Sequence, residues 1–165
     1  MIDLKEIQNK ILIKENFYFL LIISLIFLLD RYSKILILKD FSNTVFYVNN
    51  FLNFDLIWNT GIGFGLLSSD SSFFYNNVSV LIGSIVVLLF FIALKADKFD
   101  KIILSCVIGG ALGNFYDRIV YKAVPDFIDF HYGNFHWFTF NVADIFITVG
   151  ILFYLINGYS NKKDD

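Results

Sequence analysis

Proline, methionine and cysteine each occur once and histidine twice in a chain of 165 residues. Each scarcity closes off a class of protein. The single cysteine, Cys106, excludes an internal disulfide framework and a thiolate metal cluster. It stands in the apolar run IILSCVIGG, where a free thiol serves as a small packing group. Charge is short as well: 17% of residues are charged, against about 25% in ordinary soluble domains. A net charge of −2 and a pI near 5.6 leave no basic surface for nucleic acid. Low net charge with high hydrophobicity also excludes disorder. What fills the chain is apolar: 57% hydrophobic residues, 19% aromatics with 21 Phe, and a mean hydropathy of +0.65. A water-soluble domain of this size cannot hide so much apolar surface, so the chain belongs in a membrane.

A helix needs about 20 residues to cross the hydrocarbon core. Apolar segments over 17–38, 78–94, 102–120 and 140–156 answer to that. The expected fold is an α-helical integral membrane protein, one domain over 1–165, with four transmembrane helices. Eight basic residues flank these segments on one side: Lys5, Lys10, Lys14, Lys95, Lys98, Lys101, Lys162 and Lys163. Five lie on the other: Arg31, Lys34, Lys39, Arg118 and Lys122. The positive-inside rule then puts both termini in the cytoplasm. The start MIDLKEIQNKILIKENF has no small-residue cleavage site, so the first segment is expected to remain as a helix.

The outward connections, about 39–77 and 121–139, are long enough to carry structure. Leu52, Phe54, Leu56 and Trp58 alternate with Asn53, Asp55, Ile57 and Asn59, a period-2 strand pattern. Residues 45–48 make a partner strand and Asn49-Asn50 a turn, predicting a small outer-face β-sheet cradle within about 40–67. The second connection, rich in Tyr, Phe, Trp and His, is expected to be an interfacial loop at headgroup level that acts as a lid.

A charge at the centre of a span costs about 2.5–3.5 kcal/mol, yet polar residues gather at the outer ends of helices one, three and four. Asp30 with Lys34, and Asp117 with Arg118, read as structural ion pairs. Asn114 and Asn141 read as interhelical hydrogen-bond residues, and Gly109, Gly110 and Gly113 as sites of close helix packing. His131 and His136, in HYGNFH, match no zinc spacing and are assigned to the surface, with Asp129 a solvated loop carboxylate. Asp126 and Asp144 have no such account. Asp144 has no cation within a turn, and Asp126 follows Pro125 among apolar neighbours. If 121–139 folds back over the helix ends, the two carboxylates meet, and one keeps a proton while the other acts as base. From the residues alone, a catalytic pair and a structural role stay equally open.

Four blocks occur in order: DRYSK at 30–34, WNTGIGFG at 58–65, GGALGNFYDRIVYKAVPDF at 109–127 and FNVAD at 140–144. Over nearly the whole chain they resemble the lipoprotein signal peptidases (signal peptidase II), bacterial intramembrane aspartic peptidases. The resemblance implies a catalytic dyad of Asp126 and Asp144. It implies supporting or substrate-binding roles for Asp30, Lys34, Asn59, Gly61, Gly110, Asn114, Asp117, Arg118 and Asn141. The implied substrate is a diacylglyceryl-modified prolipoprotein, cleaved before its lipidated cysteine, with membrane lipid alongside. Neither metal nor other cofactor is implied, and no nucleic acid partner. The implied protein is a monomer of the bacterial cytoplasmic membrane with its active site near the outer face. Two positions depart from the pattern: Arg31 stands where Gln is frequent, and Pro125, which lacks an N–H, stands where an aliphatic residue is frequent. A small transporter, the first rival reading, needs polar residues through the whole bilayer depth, and the second helix is uncharged. A lipoprotein-binding module without activity is the other, and retention of both aspartates argues against it.

Overall fold

Residues 14–61 and 72–161 are described in the computed structural model. The four apolar segments form helices α1 (Lys14–Asp40), α2 (Ser72–Lys95), α3 (Lys98–Tyr121) and α4 (Val142–Asn161). Between them lie strands β1 (Phe46–Asn49) and β2 (Leu52–Asn59), then β3 (Val124–Tyr132) and β4 (Phe135–Phe140). Among the described residues, three helical stretches are long and apolar enough to cross a membrane: Asn76–Lys95, Lys98–Tyr121 and Val142–Tyr159. The expected fourth, α1, is 27 residues long but is not among the three. Asp30, Arg31, Lys34 and Lys39 all fall in its second half.

α3 is the central helix, packed against α1, α2 and α4. Its start is fixed by Asp97, whose side chain accepts from Asp100 N at 2.9 Å. Its glycines let the neighbours in. A Cβ at Gly109 would lie 2.9 Å from Ile23 O, and one at Gly110 would lie 2.6 Å from Ala143 O. One at Gly113 would run into the Asp30 carboxylate. Beside them Phe19, Ile23, Val86, Ala93, Leu104 and Ile108 form an apolar core. Leu28, Val80, Leu88 and Leu155 are more than half exposed, whereas Asp30, Lys34, Asp117 and Asn141 are fully buried. Apolar outside and polar inside is the distribution a hydrocarbon solvent selects.

The strands form one antiparallel sheet in the order β1-β2-β3-β4. β2 occupies the predicted residues, and β1 starts one residue later than predicted. The turn between them falls on Asn50 and Phe51, with Asn49 Oδ1 accepting from Phe51 N at 2.9 Å. The rest of the expected cradle, beyond residue 61, lies outside the described residues. The interfacial loop expected at 121–139 is instead mostly strand, the β3–β4 hairpin. Val124–Phe127 is buried at every position, which erases the alternation that would have announced a strand. Gly133, at φ 59°, turns the chain between the two strands. Pro125 pairs with Trp58 of β2, and β4 joins β3 only from Ile128 onward. Its missing N–H therefore falls where β3 has a strand on one side alone.

Candidate active site

FNVAD is a helix start. Asn141 precedes α4 and Asp144 is its third residue, the spacing of a capping box. Asn141 Oδ1 accepts from Asp144 N at 3.1 Å, and Asp144 Oδ2 accepts from Asn141 N at 3.1 Å. The helix terminus also favours a negative side chain in its first turn. A second N–H of that turn, from Ala143, goes to Asp30 Oδ1 of α1 at 3.0 Å. Local chemistry thus plants Asp144 at the top of α4, with α1 bonded to the same turn.

Asn141 also reaches the second aspartate. Its Nδ2 donates to Asp126 Oδ1 at 2.6 Å, and Asn59 Nδ2 donates to Asp126 Oδ2 at 2.8 Å. β2–β3 register sets Asn59 opposite Val124 and Ile57 opposite Asp126. Gly61 N donates to Asn59 Oδ1 at 2.8 Å, which turns the Asn59 amide nitrogen toward Asp126. Gly61 O in turn accepts from Arg118 Nη2. On the far side, Asn114 Nδ2 donates to Asp144 Oδ1 at 2.8 Å.

Beneath the two aspartates lies a buried charge layer. The Lys34 ammonium has three N–H groups and three oxygens facing it: Asp30 Oδ2 at 2.8 Å, Asn114 Oδ1 at 2.8 Å and Asp117 Oδ2 at 2.7 Å. Arg31 closes the other oxygen of Asp117, with its guanidinium 4.7 Å from the Tyr116 ring centroid. The expected Asp30–Lys34 pair is therefore present. The expected Asp117–Arg118 pair is replaced: Asp117 faces Arg31 and Lys34, and Arg118 turns to Gly61. Adjacent residues on a helix do not share a face, so neighbours in sequence were the wrong partners.

Asp126 is 2% exposed and Asp144 8%. Burial raises the Asp126 carboxyl, and the nearby Asp144 carboxylate raises it further. Hydrogen bonds from Asn59 and Asn141 oppose this only in part, and the group stands at about 7 against an ordinary 3.8. A cavity of about 260 Å³ opens between α2, α3 and α4. Val86, Ala111 and Ile147 make apolar walls, and Asn114, Arg118 and Asp144 lie at its polar end. A buried carboxyl pair with one proton to share, with Asp144 lining the end of an apolar groove, can polarise a water against a bound amide.

All eleven residues named from the sequence meet in this one network, with Gly110 as the point where α3 touches the α4 backbone. Arg31, read only as a departure, is part of it. Asp129 corrects the sequence-based reading: it is 3% exposed rather than solvated, and both its oxygens lie 2.8–2.9 Å from His136 Nδ1. A loop reading hid it, because only strand pairing turns it inward.

Residues 22–159 match the family model described as signal peptidase (SPase) II. A lipoprotein signal peptidase of Pelagibacter ubique strain HTCC1062 is 49% identical over 161 residues, covering 94% of this chain and 97% of that one. Its counterpart in Francisella tularensis subsp. novicida strain U112 is 36% identical over 152 residues, 88% and 93% of the two chains. A solved structure described as a bacterial membrane enzyme superposes with a TM-score of 0.75 at 28% identity, covering 90% of this chain and 91% of that one.

Proposed function

This chain belongs to the signal peptidase II family and removes the signal peptide from prolipoproteins; from that premise we propose that Asp126 and Asp144 perform the cleavage as an aspartic dyad. One observation carries the reading: two buried carboxylates share Asn141 as a common donor, and one of them, Asp144, lines the polar end of an apolar groove. One carboxylate takes a proton from water as the water oxygen bonds to the scissile carbonyl carbon. The proton held by the pair then goes to the amide nitrogen as the C–N bond breaks. The two groups titrate jointly, so the resting proton belongs to the pair.

The other residues hold this geometry. Asn59 and Asn141 orient Asp126, Asn114 orients Asp144, and Arg118 holds Gly61, which holds Asn59. Lys34 with Asp30, Asp117 and Arg31 forms the rigid floor. The groove takes apolar parts of the substrate.

The substrate is a diacylglyceryl-modified prolipoprotein cut before its lipidated cysteine, with the lipid in the bilayer beside the helices. Each buried CH₂ of that lipid favours membrane residence by ~0.8 kcal/mol. We place the enzyme as a monomer in the bacterial cytoplasmic membrane, termini inside and dyad near the outer face. α1 acts as a fourth span, because Asp30, Arg31 and Lys34 are buried in the bundle while Leu20, Leu25 and Leu28 face outward.

The test is a gel-shift assay with purified protein in detergent. A diacylglyceryl-modified prolipoprotein runs beside the same chain left unlipidated, and mass spectrometry identifies the new N-terminus. Cleavage of the lipidated form alone, at the modified cysteine, is expected. Equal cleavage of both forms, or a cut elsewhere, would overturn the substrate assignment.

A further inference from the structure

The β3–β4 hairpin carries a second polar cluster, away from the dyad. Both histidines of the chain are in it. His131 and His136 are paired across the strands, with ring centroids 5.2 Å apart. Asp129, two residues before His131, lies on the same face of β3. One ligand atom from each of the three side chains falls within 4.8 Å of the others. The Asp129 carboxylate is 2.8–2.9 Å from His136 Nδ1 and 3.6 Å from His131 Nδ1.

An Asp–His pair alone does not account for this arrangement. His131 is 5% exposed, and its Nδ1 has no hydrogen-bond partner among the described residues although it points at Asp129. A buried imidazole nitrogen left unmet costs free energy. Asn53, opposite Asp129 in the β2–β3 register, likewise has a buried side-chain oxygen with no partner among the described residues. Unmet lone pairs therefore collect on one face of the sheet around one carboxylate. Two imidazoles and a carboxylate are the donor set of a three-ligand zinc-type site, with a fourth position left for water.

We propose that Asp129, His131 and His136 bind a divalent transition-metal cation of the zinc class. Bonds of ~2.0–2.1 Å in a tetrahedron set donors ~3.3 Å apart. Asp129 and His131 are near that spacing. Asp129 and His136 must part by about half an ångström, a side-chain adjustment open to the exposed His136. The bound ion ties β3 to β4 beside the turn at Gly133, and β3 is the strand that carries Asp126. Of the two histidines read from the sequence as surface residues, His131 is buried, whereas His136 is exposed. The proposal rests on the hairpin geometry and is independent of the dyad assignment.

The test uses the full chain in detergent, purified on a tag without histidine and stripped with chelator. Co²⁺ is titrated and its visible d–d absorption followed, then Zn²⁺ is added as competitor; His136→Asn and His131→Asn run alongside. One equivalent of Co²⁺ displaced by Zn²⁺ but not by Mg²⁺ is expected, with affinity reduced at least ~tenfold in each variant. Because His136 lies at the surface, His136→Asn keeps the test decisive if His131→Asn does not fold. No absorption band in the parent, or parental binding by folded His136→Asn, would overturn the site.

Discussion

Replacing Gly110 by Ala adds one methyl group between α3 and α4, and the consequence can be worked from the contact. The new Cβ would lie 2.6 Å from Ala143 O and 3.1 Å from Ile147 Cγ1. The isoleucine can turn aside, but the carbonyl is backbone. Ordinary contact begins at 3.4 Å, so the helices must part by about 0.8 Å. Ala143 precedes Asp144, and the displacement passes directly to one carboxylate while Asp126 stays on β3. Misplacing a reacting group by 1 Å costs up to ~10²-fold, so kcat should fall roughly 30- to 100-fold. Overpacking of this kind costs about 1–3 kcal/mol, which should lower Tm by several degrees. Gly158→Ala is the matched control. It lies on α4, the helix that carries Asp144, with nothing within 4 Å of its added Cβ, and should keep parental rate with equal or higher Tm. Timed cleavage of lipidated prolipoprotein, with a thermal melt of each variant, provides both numbers. Parental kcat in a folded Gly110→Ala enzyme would refute the claim that this contact sets the carboxylate spacing.

Hydrolysis by a pair sharing one proton should decline as pH rises through about 7, where the Asp126 carboxyl loses its proton. Asn59→Leu removes a donor that favours the ionised form, so the alkaline limb of a kcat/KM profile should move to higher pH. The folded carboxyl stands above its ordinary 3.8; its contribution to stability is therefore complete below about pH 4 and lost as pH rises through 7, which melts across that range would reveal. Lys34→Met leaves Asp30 and Asp117 facing each other with no ammonium between them and should cost about 3–5 kcal/mol, seen as a large fall in Tm or failure to purify folded protein. Arg31→Gln should be far milder, because Lys34 still faces Asp117 at 2.7 Å. We expect activity within roughly fivefold of parent and a Tm lower by a few degrees.

Helices were legible because long apolar runs are an unambiguous signal in this chain. β2 was legible from the apolar–polar alternation of Leu52–Leu56 in the sequence, although those five residues are all half-buried in the fold. β3 was not, since Val124–Phe127 is buried throughout and Pro125 argues against a strand unless its pairing is known. The Gly133-Asn134 pair between aromatic runs was the available hairpin signal. Individual site residues could be named from motif blocks, but their partners depended on tertiary register. Asp117 finds Arg31 from 86 positions away, and Asp129 becomes buried only when β2 and β4 flank it. Asn141 shows the overlap of the two levels: its capping role is local and readable from N-x-x-D, while its bond to Asp126 requires the sheet.

The central claim is that Asp126 and Asp144 together cleave the prolipoprotein. Its most direct test is the cleavage rate of purified Asp126→Asn and Asp144→Asn beside the parent, each shown folded by its melt and able to hold the lipidated substrate. The account predicts that both variants bind and neither cleaves, with loss of at least ~10³-fold in kcat. Cleavage at near-parental rate by either folded variant would contradict it.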